Sequence, residues 1–130
     1  MSHKLLETIR QRRSAESAYQ LKSAAGRFRV ALIYPNSYHK GMSNLGFLSV
    51  YHLINQRDDC LCERFFLPDE AELAEYQRTG FNLVSYETET PLAQFDLIAL
   101  SISFENDYLN LPIIFELGSV PLFAAERDDA

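Results

Sequence analysis

The sequence predicts an α/β fold, a doubly wound parallel sheet with flanking helices. Three observations predict it. Residues 29–46, RVALIYPNSYHKGMSNLG, run from a short apolar strand through a proline into a polar, glycine-containing loop and then a helical pattern. Residues 95–108, FDLIALSISFENDY, repeat that layout. Between them, residues 61–67 form another apolar run, closed by Pro68-Asp69. Strands alternating with helical segments indicate parallel βαβ pairing. In open sheets of this kind, Rossmann-like or flavodoxin-like, ligands bind beyond the carboxyl ends of the strands.

In chain order, residues 3–25 read as a helix. Leu5, Leu6 and Ile9 start an apolar stripe, and Ala15, Ala18, Tyr19 and Leu21 continue it loosely. Gly26 ends it as a left-handed C′ residue. The stripe is thin, which predicts packing at an edge rather than a centre. Residues 30–34 form the first strand; their unbroken apolar character fits a central strand buried on both faces, and Pro35 ends it.

Phe47, Val50, Tyr51 and Ile54 then recur at helical spacing, with Leu53 beside them. Ser43 or Asn44 can cap that helix. Gly46, in its first turn, would let the helix approach the sheet or a ligand approach the backbone. Residues 61–67 form the second strand, and residues 70–78 a short helix ended by Gly80. Residues 81–90 alternate weakly and fit either an extra edge strand or a hairpin arm. Residues 97–103 form the third strand. Residues 106–117 form the next helix, which tolerates Pro112 if it starts near Leu109; Gly118 closes it.

Residues 119–123 are too short and proline-broken for a fourth strand. A doubly wound sheet usually has about five or six strands. The chain is therefore expected to stop in mid-fold, after its third main strand. The open edge so left would invite pairing with another chain, a second copy included.

Composition narrows the function classes. At 130 residues the chain is one domain at most, and 47% hydrophobic residues suffice for a core. Residues 1–29 hold seven Lys or Arg against Glu7 and Glu16, a net of +5, and the remainder five against sixteen acids, a net of −11. This divides the chain into a basic helical arm, residues 1–27, and an acidic α/β body, residues 28–130. The arm is expected to lie on the acidic body of its own chain or of a neighbour. RNA or a membrane surface is the alternative partner for the arm, although a formal charge of −6 gives no reason to expect nucleic acid.

No apolar run is long enough to span a membrane, and residues 4–13 are too polar for a signal peptide. Cys60 and Cys62, the only two cysteines, are one residue apart, so a mutual disulfide would be strained. A reduced, cytoplasmic compartment follows. On a strand both thiols face one side. Two sulfurs do not complete a zinc site, nothing in the sequence supports His52 as a third ligand, and buried structural cysteines are expected.

The candidate site gathers at the carboxyl ends of the strands. From the first strand come Asn36, Tyr38, His39, Gly41, Ser43 and Asn44; from the third come Ser101, Ser103, Glu105 and Asn106. Such a rim can hold a polar cofactor through backbone amides and hydroxyls. None of these residues is assigned a chemical step, and no metal ligand is assigned. Glu105 and Asp107 are expected to flank and cap the following helix. The phosphate-loop pattern is absent, since Phe47-Leu48 stands where it needs Lys and Ser or Thr, and GxGxxG is absent too. A phosphoacceptor domain would need acids after the first strand, where Tyr34-Pro35-Asn36 offers none.

The blocks YPNSYHKGMSNLGF, CERFFLPD and FDLIALSISFENDY, in this order and spacing, resemble the N-terminal, cobalamin-binding-like domain of a bacterial radical S-adenosylmethionine (SAM) protein family. The resemblance covers residues 28–127. It implies a partial cobalamin-binding-like domain whose remaining strands lie beyond Ala130. It also implies a barrel in the same parent chain, where a CxxxCxxC motif holds a [4Fe–4S] cluster that cleaves S-adenosylmethionine. This chain has no CxxxCxxC motif, so radical chemistry is not expected of it alone. The cobalamin motif DxHxxG is not intact either. Ser37 stands two residues before His39 in place of Asp, and Gly41 follows two residues after rather than three.

Two roles follow. One is an accessory domain that covers the barrel and helps bind cofactor or substrate, with cobalamin as a candidate cofactor and none assigned to this chain. The other is a docking module of the same architecture without cobalamin.

Overall fold

The computed structural model describes residues 3–16 and 22–127. Its centre is a three-stranded parallel sheet in the order β2-β1-β3, with β1 at Phe28–Tyr34, β2 at Cys60–Phe66 and β3 at Leu97–Leu100. In register, Val30 pairs with Cys62 on one side and Leu97 on the other. Helices flank it: α1 (His3–Ser14), α2 (Tyr38–Met42), α3 (Leu45–Asn55), α4 (Glu70–Thr79) and α5 (Leu111–Leu117). This is the small α/β, Rossmann/flavodoxin-like architecture expected from the strand–helix alternation.

Alternation along β1 divides the core into two layers. Val30, Leu32 and Tyr34 meet Phe47 and Tyr51 of α3 with Phe66 and Tyr86, whereas Ala31 and Ile33 meet Phe65, Tyr76 of α4 and Ile114 of α5. The arm helix feeds both, with Leu6 and Ile9 in the first layer and Leu5 in the second. Leu5, Leu6 and Ile9 are thus buried, whereas Ala15, further along the stripe, is exposed. The helix also ends at Ser14, well short of residue 25. Ala18, Tyr19 and Leu21 lie outside the described residues. Gly26, with φ +71°, sits in a turn before β1 instead of stopping a helix.

The basic arm rests on the acidic body of its own chain. Arg10 pairs with Glu89 and Arg12 with Glu72. Arg13 Nη1 donates to the carbonyls of Tyr86 and Glu87, and Lys22 Nζ to those of Asn55, Arg57 and Cys60, which run from the end of α3 to the start of β2.

The outer edge of β2 is sealed. Asn55 imitates a neighbouring strand, its amide accepting from Cys62 N–H and donating to Cys62 C=O at 2.9 and 3.0 Å. Beyond it, Tyr86 N–H donates to Arg64 C=O. Residues 81–90 are therefore the hairpin arm, closed by the antiparallel Val84–Pro91 bridge. The third strand ends at Leu100, not 103. Ser101 N–H makes one last bond to Ile33 C=O, and a 3-10 turn, Glu105–Asn110, then leads into α5 with Pro112 in its first turn.

Candidate functional site

Pro35 stops β1, and Asn36 turns the chain, its Oδ1 accepting from Ser37 N–H at 2.8 Å. Ser37 then caps α2, a one-turn helix inside what the sequence suggests is an open loop, by accepting from Lys40 N–H at 3.3 Å. That turn spends several of the candidate groups internally. Ser43 Oγ donates to His39 C=O. Gly41 lies so close to Phe66 that an added Cβ would stand 2.9 Å from its Cδ1. Tyr38 points inward and stacks on Tyr86, with ring centroids 5.0 Å apart. His39 and Lys40 face solvent.

Asn44 caps α3, accepting from Phe47 N–H at 2.9 Å, and its Nδ2 donates to Ser103 Oγ at 2.8 Å. Asn36 Nδ2 donates to Asp107 Oδ1 at 3.0 Å. Two direct bonds thus tie the loop after β1 to the loop after β3, across the place where an open sheet of this type offers its crevice. Asn36, Asn44 and Ser103 come together there, and Asp107 joins them. Asp107 is buried and holds Asn36 rather than capping a helix, and its Oδ2 has no partner among the described residues. Ser101 is half-buried at the strand end, while Glu105 and Asn106 are exposed. Gly46 approaches neither sheet nor core, since an added Cβ would meet only Asn44 Oδ1 at 3.3 Å. Three open cavities, of about 400, 520 and 460 Å³, lie elsewhere, lined by α4 and α5, by the outer side of β3, and by α1 with the hairpin.

A second constellation lies beneath α2. Arg64 and Glu87, both buried, approach to 2.6 Å between Nε and Oε2. Tyr51 Oη donates to Glu87 Oε2 at 2.5 Å, and Arg64 Nη1 to Glu16 Oε2 at 3.0 Å. The Tyr38 hydroxyl donates to the same Glu16 oxygen at 2.5 Å. Burial works to lower the pKa of Arg64, but Glu87, Glu16 and Tyr51 outweigh it and hold the guanidinium firmly protonated. Burial, then the Glu16 bond, raises the Tyr38 phenol. The signal for this cluster is Glu63-Arg64, a charged pair in the middle of an apolar strand, which demands buried partners.

The comparisons with known proteins bear on the whole arrangement. A family model described as radical SAM proteins, N-terminal, matches residues 46–130, well over half of the chain. The chain belongs to this family. The match takes in the rim residues that follow β3 and begins just after Asn44. No curated protein and no solved structure matches the chain.

Radical SAM proteins carry a [4Fe–4S] cluster and S-adenosylmethionine, and the residues of this N-terminal domain do not fit the cluster. Thiolates hold such clusters. The chain's two cysteines are neighbours on β2, and burial first, then Glu87, raises the Cys62 thiol far above its usual value. No group of three His, Cys, Asp or Glu suited to a metal occurs among the described residues. Cobalt ligation fits no better. His39 is exposed, and Ser37, where an orienting acid would stand, spends its hydroxyl on the α2 cap. Among the described residues no helix is long and apolar enough to cross a membrane.

Proposed function

We propose that this chain is the non-catalytic accessory domain of a radical SAM protein and that it docks on the catalytic domain through the open β3 side of its sheet. One observation carries the reading. Leu97 and Leu100 on β3, then Phe104, Tyr108 and Leu109 on the segment after it, are exposed, the last to 75%. Large apolar side chains gathered beside a strand whose outer edge has no partner among the described residues are the surface a partner covers. The family supplies that partner, the part of a radical SAM protein that follows its N-terminal region. In this reading the bonds Asn36–Asp107 and Asn44–Ser103 hold the rim as a preformed face, and His39, Gly41, Ser43, Ser101, Glu105 and Asn106 serve the interface and its loops. Two unpaired cysteines accord with a cytoplasmic location.

A second reading, cofactor or substrate bound at the rim, is favoured by Asp107 Oδ2, a buried oxygen that a ligand's donor group could satisfy. Titration with hydroxocobalamin separates the two. The docking reading expects an unshifted visible spectrum and no retention of the corrinoid on gel filtration. A saturable spectral shift, lost with Asn36→Ala or Asn44→Ala, would overturn it in favour of the second. Light scattering at micromolar concentration tells whether a second copy takes the edge instead: a dimer that persists on dilution counts against docking to the catalytic domain.

A further inference from the structure

The Arg64 guanidinium has two sides. On one, Glu87 is complete: its Oε2 takes Arg64 Nε and the Tyr51 hydroxyl, and its Oε1 takes the Arg64 backbone N–H at 2.9 Å. The other side is the fork of Nη1 and Nη2. Glu16 covers it with a single oxygen, 3.0 Å from Nη1. Arg64 Nη2 and Glu16 Oε1 are both buried, and neither has a hydrogen-bond partner among the described residues. A guanidinium fork fits a carboxylate through two parallel bonds. Glu16 makes one, leaving a donor and an acceptor desolvated and unpaired, which is costly for both.

We propose that the seat now filled by Glu16 is a binding site for a carboxylate ligand, with Glu16 as its displaceable intramolecular occupant. The seat has two donors, the Arg64 fork and the Tyr38 hydroxyl. The guanidinium lies over the Tyr51 and Tyr86 rings, 5.1 and 6.0 Å from their centroids. Charge selects a monoanion. Arg64 already shares its single charge with Glu87, so a carboxylate replaces Glu16 one for one, whereas a phosphate dianion would bring surplus buried charge. The occupant can leave without unfolding the arm. Glu16 lies two residues past the end of α1, and α1 is held independently by Leu5, Leu6 and Ile9 and by the ion pairs of Arg10 and Arg12.

The test is a titration of the ¹⁵N-labelled chain at neutral pH with sodium propionate, sodium phosphate and sodium chloride at matched ionic strength. Propionate is expected to give saturable shifts at Glu16 and the Arg64 Nε–H, with a parallel change in the near-ultraviolet dichroism of the tyrosines; the other salts should give neither. Glu16→Gln keeps the volume and gives up the competing charge. It should bind propionate about tenfold more tightly, the scale of one charge-assisted hydrogen bond no longer in competition. Shifts that do not saturate, or that chloride or phosphate reproduces, overturn the site. Equal affinity in Glu16→Gln and the parent overturns Glu16 as its occupant. The parent titration needs no variant, so it decides even if Glu16→Gln fails to fold.

Discussion

Arg64 and Glu87 form an ion pair inside the molecule, 2.6 Å between Nε and Oε2, with side-chain exposures of 1% and 0%. It joins β2 to the hairpin that seals it. Breaking such a pair strands a buried charge, at a cost of about 3–5 kcal/mol. Arg64→Met is expected to destabilise the chain by that amount in urea unfolding. Arg64→Met combined with Glu87→Leu should recover only the part of the loss that comes from stranding the Glu87 charge, because Glu16 still loses Arg64 and the Tyr51 hydroxyl loses Glu87. A double variant no more stable than Arg64→Met would show that the hairpin needs the charges themselves.

Asn55 supplies β2 with the neighbour it lacks. Asn55→Ala removes both bonds to the Cys62 backbone and leaves a buried N–H and C=O unpaired, so a loss of about 1–3 kcal/mol is expected. Amide exchange at Cys62 should accelerate with it. An unchanged Cys62 exchange rate would mean that something other than Asn55 protects this edge.

The two glycines near the rim should behave in opposite ways. Gly41→Ala drives a methyl group into the buried Phe66 ring and should cost about 1–3 kcal/mol through overpacking. Gly46→Ala brings a methyl group to 3.3 Å from Asn44 Oδ1, the α3 cap oxygen; because that side chain need shift only slightly and alanine is the better helix former, the change should be close to neutral, with a gain of at most about 1 kcal/mol. Thermal melts of the two variants side by side check the contrast.

Asn44 both caps α3 and bridges to Ser103. Asn44→Ala should cost about 0.5–2 kcal/mol, the range for a lost N-cap. Ser103→Ala removes the bridge alone and should cost less. Equal losses would assign the stabilisation to the bridge.

The capping box of α4 sets a pH dependence with two signs. The Glu72 backbone N–H holds the Asp69 carboxyl below its ordinary 3.8. Burial raises Glu72 above its ordinary 4.5, against the pull of Arg12. A lowered carboxyl contributes stability above its unfolded value and loses it as pH falls through the folded one; a raised carboxyl does the reverse. The advantage of the parent over Asp69→Asn should therefore shrink as pH drops below 3.8. Relative to Glu72→Gln, the parent should lose stability as pH rises past 4.5. Urea unfolding across this range reads both slopes.

The sheet and most of its helices were legible in the residues because unbroken apolar runs and terminal punctuation are local signals. Pro35, Pro68-Asp69 and Gly80 with its left-handed φ of +68° mark boundaries that the fold keeps. The arm was harder to read. Its stripe looks thin over residues 3–25, yet Leu5, Leu6 and Ile9 crowd into one short helix that serves both core layers. The loop after β1 hid a helical turn, since Ser37 caps it through its own side chain rather than through any apolar period. The cluster at Arg64 depends on Glu16, Tyr38, Tyr51 and Glu87, which are far apart in sequence. Only the charged pair inside the apolar second strand announced it. Of the rim, the strand-end location was readable. That Asn36 and Asn44 spend their amides on Asp107 and Ser103 was not, because such pairings across a crevice leave no spacing signature.

The docking of the β3 side on the catalytic domain is tested most directly by hydrogen–deuterium exchange of the chain, alone and mixed with the cluster-bearing domain of its radical SAM protein. Amides of Leu97–Leu100 and of the segment through Leu109 should exchange at least about tenfold more slowly in the mixture, as expected for an edge strand that gains a partner. Unchanged exchange there at saturating concentrations of the catalytic domain would contradict the account.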